Sequence, residues 1–275
     1  LLVGVVIYGG LMFVEVTRRG GTTSALSELI GGAGLNQTRS TILIAIGFGV
    51  MIESLTGYGV SMLVTVPLLL RVVTRTQAIM LALVGMSLMP WGALSVSALL
   101  GAQLAGIPVS ELADQLLTTS GPVAFLLPLL CAAITRARAT ADWLFALVAG
   151  ITLVVGIALT SELIGVEVAG VGGGIAVISL CLLTTPSGRE VMRSAVSSRA
   201  IWAYPFLITC IVVQKLVLDV QGSWSHAAVL ATERVSFEVL ASPALALAFA
   251  SALVVMAVPS VEAPYRDRLF LQVSA

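Results

Sequence analysis

The chain has 275 residues, of which 58% are hydrophobic and 10% are charged, and its 14 basic and 14 acidic side chains cancel. Soluble domains carry about 25% charged residues, so this composition excludes an ordinary soluble domain and predicts an all-α polytopic membrane protein. Zero net charge without a basic block excludes nucleic-acid binding. The spacing of the cysteines fits no metal-binding motif, and we predict neither a metal site nor a cofactor.

Apolar runs predict a single membrane-domain fragment over 1–275, since the chain begins inside an apolar run and not at a Met. Ser24–Ile30 is expected to form a short interfacial turn of helix, and 102–117 a loop. Arg-containing loops at 135–141, 185–200 and 259–268 are expected in the cytoplasm, and the Arg-free loops outside. The predicted spans are 1–17, 41–72 (broken or re-entrant), 77–101, 121–134, 142–160, 167–184, 201–219 and 239–258.

The stretch 41–72 differs from the other spans because it carries Glu53 and a Thr56-Gly57-Tyr58-Gly59 break. As one straight helix it would be about 48 Å long, whereas the hydrocarbon core is about 30 Å thick. Two glycines allow the backbone to leave the helix. Two halves of roughly 20 Å each would be too short to cross alone. Arg residues at both ends favour a re-entrant hairpin with its tip at Thr56–Gly59, and a single broken span stays open.

Glu53 is the first candidate for a residue that binds substrate or a proton. A carboxylate in hydrocarbon costs at least about 2.5–3.5 kcal/mol and is seldom kept without a use. Desolvation favours the neutral form of a carboxyl group, so proton loading near neutral pH becomes feasible. The alternative is a structural acid that is hydrogen-bonded to a neighbouring helix.

The other candidates surround the break. Backbone N–H groups at the start of the second half-helix, from Tyr58 to Ser61, are expected to face an anionic carboxylate. Thr56 and Ser61 add hydroxyl groups, and Gly57 and Gly59 form the tip. The weaker pathway candidates, Ser87 and Ser95, lie on either side of Pro90 in the next span.

Other functional classes fit less well. A membrane-embedded enzyme needs clustered His, Asp or Cys on facing helices, and the spans lack such a cluster. A channel is suggested by Thr-Gly-Tyr-Gly, which resembles part of a potassium filter. The many further spans and the acid upstream argue against a channel. A non-catalytic scaffold subunit leaves Glu53 without a role.

Phe48-Gly49-x-x-x-Glu53-x-x-x-Gly57-Tyr58-Gly59 resembles the Phe-Gly-x-Phe-x-Glu-Gly-x-x-Gly-Phe-Gly motif of the L-lactate permease family. Ser54 and Val60-Ser61 depart from this motif, where the family has Gly and Thr-Pro. Weaker matches elsewhere extend the resemblance over roughly 41–245. These weaker matches are Pro90–Leu94, Thr160–Glu167, Tyr204-Pro205 and Phe237–Pro243.

The resemblance implies a secondary transporter that takes up L-lactate, glycolate or a related small carboxylate with protons across the bacterial inner membrane. Members of the family are about twice as long, so the chain is expected to be one half of an inverted-repeat transporter. Transport of another organic or inorganic anion, sodium coupling and assembly as a homodimer stay open alternatives.

Overall fold

The computed structural model describes residues 2–57, 59–92, 95–197, 201–220, 229–231, 236–238 and 243–257. Helices dominate these residues, with one short antiparallel strand pair, which confirms the predicted all-α membrane class. The helices are α1 Leu2–Arg19, α2 Thr22–Gly32, α3 Gln37–Ile42, a π-helix Leu43–Phe48, α4 Gly49–Thr56, α5 Met62–Leu69, α6 Arg75–Gly85, α7 Val96–Ala105, α8 Val109–Ile134, α9 Thr140–Leu163, α10 Ala169–Leu183, α11 Gly188–Ser197, α12 Ala203–Val220 and α13 Pro243–Ala257. Short 3-10 turns lie at Met89–Trp91 and Val166–Val168, and the strands are β1 Val229–Ala231 and β2 Ser236–Glu238.

Four helical segments of the described residues are long and apolar enough to cross a membrane. They are Gln37–Thr56, Val109–Ile134, Thr140–Leu163 and Val166–Leu183. The first of them combines α3, the π-helix and α4 into one continuous helical rod. The remaining predicted spans stay predictions, and the loop expected at 259–268 lies outside the described residues.

The chain forms two compact units, 1–26 with 194–275 and 27–193, so α2 and α11 cross the boundary between them. The single membrane domain expected over 1–275 stays a prediction. In the first unit α1 and α12 both pack against α13. The rings of Phe13 and Tyr204 meet edge to face, with centroids 5.6 Å apart. All candidate site residues belong to the second unit.

Helix α8 corrects the loop expected at 102–117, because it begins at Val109 and continues to Ile134. Its 26 residues make a rod of about 39 Å. Pro122 and Pro128 do not end it, since neighbouring helices in a membrane bundle compensate for the backbone hydrogen bonds that proline removes. Within the loop expected at 185–200, Gly188–Ser197 is helical, and the turn expected at Ser24–Ile30 is the longer helix α2.

The helix in the span expected at 77–101 is interrupted, because it stops at Gly85 and resumes at Val96. Ser95 has a left-handed φ of 54°, and Pro90 in the gap offers no N–H to a helix. The two pieces contact opposite ends of α8. Gln77 Nε2 donates to Ile134 O over 2.7 Å, and a Cβ atom on Gly101 of α7 would lie 3.6 Å from the side chain of Leu112, in the first turns of α8. They therefore run as one interrupted pass, antiparallel to α8.

Candidate functional site

The helix that carries Glu53 ends where the two glycines begin. Helix α4 stops at Thr56, and α5 starts at Met62. Gly57 and Gly59 have φ of 71° and 80°, values that strain any residue with a side chain. The interruption predicted at Thr56–Gly59 is therefore confirmed.

The two sides of the interruption fold back on each other. Helix α5 packs against the π-helix Leu43–Phe48, which lies earlier in the chain, on the other side of the interruption. At the open end Gln37 Nε2 donates to Val72 O over 3.0 Å. These contacts favour the re-entrant hairpin and contradict the single broken span.

The two arms of this hairpin are not the equal halves that the sequence suggested. Arm 1, which we define as Gln37–Thr56, has 20 residues and would reach about 30 Å as a regular helix. Arm 2, defined as Ser61–Val72, contains only the eight helical residues of α5, about 12 Å of helix. The π-helix in arm 1 widens the backbone, a feature that is frequent at functional sites.

Glu53 lies on the last turns of arm 1 and points at the start of arm 2. Its residue is 2% exposed. One carboxylate oxygen accepts from Gly59 N over 2.8 Å. The other accepts from Ser61 Oγ over 2.7 Å and from Ser61 N over 3.4 Å. Glu53 therefore caps the beginning of arm 2 from the opposite arm.

This arrangement changes the interpretation of the backbone donors. The N–H groups of Gly59 and Ser61 were expected to face the carboxylate of a substrate, and in the structure they bind the carboxylate of Glu53. A buried carboxylate is tolerated when hydrogen-bond donors replace its hydration, and charge-assisted bonds of this kind are among the strongest in proteins. The tip of the hairpin is thus built to bind one carboxylate.

The charge of Glu53 has no counter-ion among the elements that pack on α4. These elements are the π-helix, α5, α6, α10 and the turn Met89–Trp91. Arg75, at the first position of α6, is the one charged residue that they contain. Hydrogen bonds, and not ion pairs, are therefore the described stabilisation of this carboxylate.

The hydroxyl groups of the other candidates bind backbone carbonyls. Thr56 Oγ1 donates to Ile52 O over 2.7 Å, and Ser87 Oγ donates to Leu83 O over 3.0 Å. Ser95 Oγ donates to Val166 O over 2.8 Å and is fully buried. Tyr58 lies outside the described residues. The structure therefore brings Glu53, Gly59 and Ser61 into direct contact, and the assignment of the whole set to substrate binding stays a prediction.

The second helix interruption reaches the same place, which the sequence did not reveal. Met86, the first residue after α6, lies 3.5 Å from the position that a Cβ atom on Gly59 would occupy. Gly170 of α10 approaches both Ser54 and Trp91 so closely that a side chain there would meet them. Trp91 is buried, and its Nε1 donates to Ser120 Oγ over 3.0 Å. Pro90 and the glycine run at 170–174 were the local signals of this meeting point.

A polar cluster at the open end of the hairpin was missed entirely. Asn36 Nδ2 donates to Asp142 Oδ1 over 2.8 Å, and Arg39 Nε lies 3.5 Å from the same oxygen. The guanidinium of Arg39 also stacks over the ring of Phe145, 4.8 Å from its centroid. This cluster ties the start of arm 1 to α9. Its residues are about a hundred positions apart in sequence, so no local pattern marks it.

These features define a polytopic helical membrane protein with a hydrogen-bonded carboxylate at the point where two interrupted helices meet. Groups of three or more His, Cys, Asp or Glu side chains that suit a metal ion do not occur in the part of the chain that the structure describes. The chain belongs to the L-lactate permease family, which matches it over residues 1–187. Members of this family are transporters and not enzymes. Searches among curated proteins and among solved structures each find no match.

The matched range contains the whole hairpin and both weaker motifs of the second unit, Pro90–Leu94 and Thr160–Glu167. The segments at Tyr204-Pro205 and Phe237–Pro243 lie beyond it. The chain is therefore a multi-pass membrane protein of a transporter family.

Proposed function

We propose that the chain carries a small carboxylate, such as L-lactate or glycolate, together with a proton across the bacterial inner membrane. Membership of the family supports the class of substrate. The observation that carries the proposal is the buried carboxylate of Glu53, which is held by donors from Gly59 and Ser61 and not by a cation. A carboxylate held in this way can exchange a proton without breaking an ion pair.

The mechanism follows from the charge of Glu53. When Glu53 is ionised, it holds the N–H groups at the start of arm 2. Protonation removes the charge that strengthens these hydrogen bonds. The donors of Gly59 and Ser61 then become available to the carboxylate of a substrate. The proton on the protein and the anionic substrate are neutral together. Moving them together avoids the cost of carrying a net charge through a medium of low dielectric constant.

Alternatives to this proposal concern the coupling ion, the anion and the assembly. Coupling to sodium would require oxygen ligands in addition to Glu53. A different organic or inorganic anion would fit the same donors, since Ser54, Val60 and Ser61 depart from the family motif. The resemblance to the family adds two further parts to the proposal. They are assembly as a homodimer and a second, inverted half of the transporter.

Replacing Glu53 with Gln tests the proposal, because the amide keeps the size of the side chain and removes the titratable charge. Uptake of labelled L-lactate into proteoliposomes is measured against external pH. We expect Glu53→Gln to lose accumulation driven by a proton gradient. Counterflow of L-lactate at equal pH then shows whether the variant still moves the substrate without the gradient. The matched control is Glu111→Gln, on the exposed first turn of α8.

An unchanged rate and an unchanged pH profile in Glu53→Gln would remove Glu53 from the mechanism. Uptake that follows a sodium gradient at constant pH would show that sodium, and not a proton, is the coupling ion. Wild-type vesicles that take up no L-lactate or glycolate would refute the substrate class.

A further inference from the structure

A cleft lies at the open end of the hairpin, at the opposite end of the arms from Glu53. Its volume is about 550 Å³, within the usual range of small-molecule sites. Helix α2 contributes one wall, from Ser27 to Gly31. The ends of arm 1 and arm 2 contribute the other walls, including Gln37, Leu68 and Arg71.

Arg71 gives this cleft its charge. In the described part of the chain, no Asp or Glu side chain lies within ion-pair distance of Arg71. One guanidinium nitrogen, Nη1, donates to Ser27 Oγ on the opposite wall. A guanidinium has five N–H donors in a planar fork, so several of them are left for a ligand. Glu28 follows Ser27 in sequence but does not line the cleft.

The other polar groups of the cleft are fixed by the hairpin itself. Gln37 Nε2 is held by Val72 O across the two arms, over 3.0 Å. Ser40 Oγ donates to Leu35 O over 3.3 Å. These bonds leave Arg71 as the main donor that is free to bind, and they fix the walls around it. The remaining surface is aliphatic, from Leu35, Leu68 and Val72.

We propose that this cleft is a second carboxylate site, which binds the substrate at the open end of the hairpin before or after its passage by Glu53. The inference rests on the proposed function for the identity of the substrate. A planar guanidinium pairs with a carboxylate through two parallel hydrogen bonds, and the aliphatic walls accept a short carbon chain. The cleft thus fits a small amphipathic anion. Arg71 and the cleft lie at one end of the hairpin. The cleft therefore binds the substrate from one side of the membrane.

The experiment compares Arg71→Gln with Arg75→Gln in oriented proteoliposomes. Both residues are exposed arginines, they are four positions apart, and only Arg71 lines the cleft. Initial rates of labelled L-lactate transport are measured against concentration from each side of the membrane. We expect Arg71→Gln to raise the apparent KM about tenfold from one side only, with the maximal rate within about twofold of wild type. Arg75→Gln should match wild type on both sides.

Arg71→Lys adds a second readout, because it keeps the charge and loses the planar fork, so its KM should lie between wild type and Arg71→Gln. Equal KM values for wild type and Arg71→Gln on both sides would overturn the second site and leave the proposed function intact. Wild-type protein that does not transport L-lactate would overturn both.

The lipid composition separates a substrate site from a lipid site. The KM defect of Arg71→Gln should be the same in vesicles of phosphatidylcholine and in vesicles with added phosphatidylglycerol. A defect that appears only with phosphatidylglycerol would assign the cleft to an anionic lipid headgroup and overturn the proposal. Thermal unfolding of each variant confirms that the compared proteins are folded.

Discussion

Ser61 Oγ donates a hydrogen bond of 2.7 Å to Glu53 Oε2, which joins the end of arm 1 to the start of arm 2. A helix start is usually capped by a side chain from the residue that precedes it. Here the capping group comes from eight residues upstream, across the tip of the hairpin. The start of arm 2 therefore depends on a carboxyl group of arm 1 for three of its hydrogen bonds.

Replacing Ser61 with Ala tests this dependence. The change removes one donor to the ionised form of Glu53, and hydrogen bonds to charged groups contribute about 1.5–3 kcal/mol. Loss of that donor weakens the contact between the two arms, so we expect Ser61→Ala to reduce the initial rate of L-lactate uptake at a fixed pH. The control, Thr56→Val, removes a buried hydroxyl whose described hydrogen bond goes to Ile52 O, and its uptake rate should stay close to that of wild type.

The positive φ of Gly59 provides a second test. Alanine at this position would be strained by about 1–2 kcal/mol. Gly34→Ala is the matched control, because Gly34 has φ of 63° and a Cβ atom there would meet nothing within 4 Å. Both variants should unfold at a similar, lower temperature. Only Gly59→Ala should also reduce uptake, since of these two glycines Gly59 is the one that donates to Glu53. If the Gly59→Ala protein had the uptake rate of wild type, the conformation of the tip would not be needed for transport.

A third prediction concerns the contact between α10 and arm 1. A Cβ atom on Gly174 would lie 2.8 Å from Gly47 O and 2.8 Å from Met51 N, and backbone atoms cannot turn aside. We expect Gly174→Ala to lower the free energy of unfolding by about 1–3 kcal/mol in detergent. Gly121→Ala, whose nearest neighbour would be Val154 at 3.9 Å, should have little effect. Equal stability of the two variants would show that the two helices can separate at no cost.

The fourth prediction concerns orientation. Glu111 lies in the first turn of α8, Arg136 follows its last turn, and both are exposed. A cysteine at 136 should react with an impermeant reagent from the cytoplasmic side, and a cysteine at 111 from the outer side. The native cysteines, Cys131, Cys181 and Cys210, are replaced by Ala in this background. Labelling from the opposite sides would invert the predicted topology.

Sequence alone revealed the features that have a local cause. A lone acid in an apolar run identified Glu53, and two nearby glycines identified the interruption. The capping of arm 2 by Glu53 was not predictable, because Glu53 and a substrate carboxylate suit the same donors. Only the relative position of the two arms decides which of them is bound.

The extent of α8 was missed for a different reason. Pro122 and Glu111 are signs of loops and helix ends in water, but neighbouring helices tolerate them in a bundle. The bond between Asn36 and Asp142 joins distant segments and has no signature in either. Predictions from the sequence were therefore reliable where one segment determines its own structure, and they failed where packing between segments decides.

The burial of the two arms differs in a way that bears on movement. Nearly all of arm 1 is buried inside the protein. Arm 2 presents Leu63 and Leu70 outward, at 53% and 48% exposure. Withdrawing arm 1 would open a void between α6 and α10, whereas arm 2 can exchange one apolar neighbour for another at little cost. Arm 1 is thus the fixed part of the hairpin, and arm 2 is the part that moves when the tip opens.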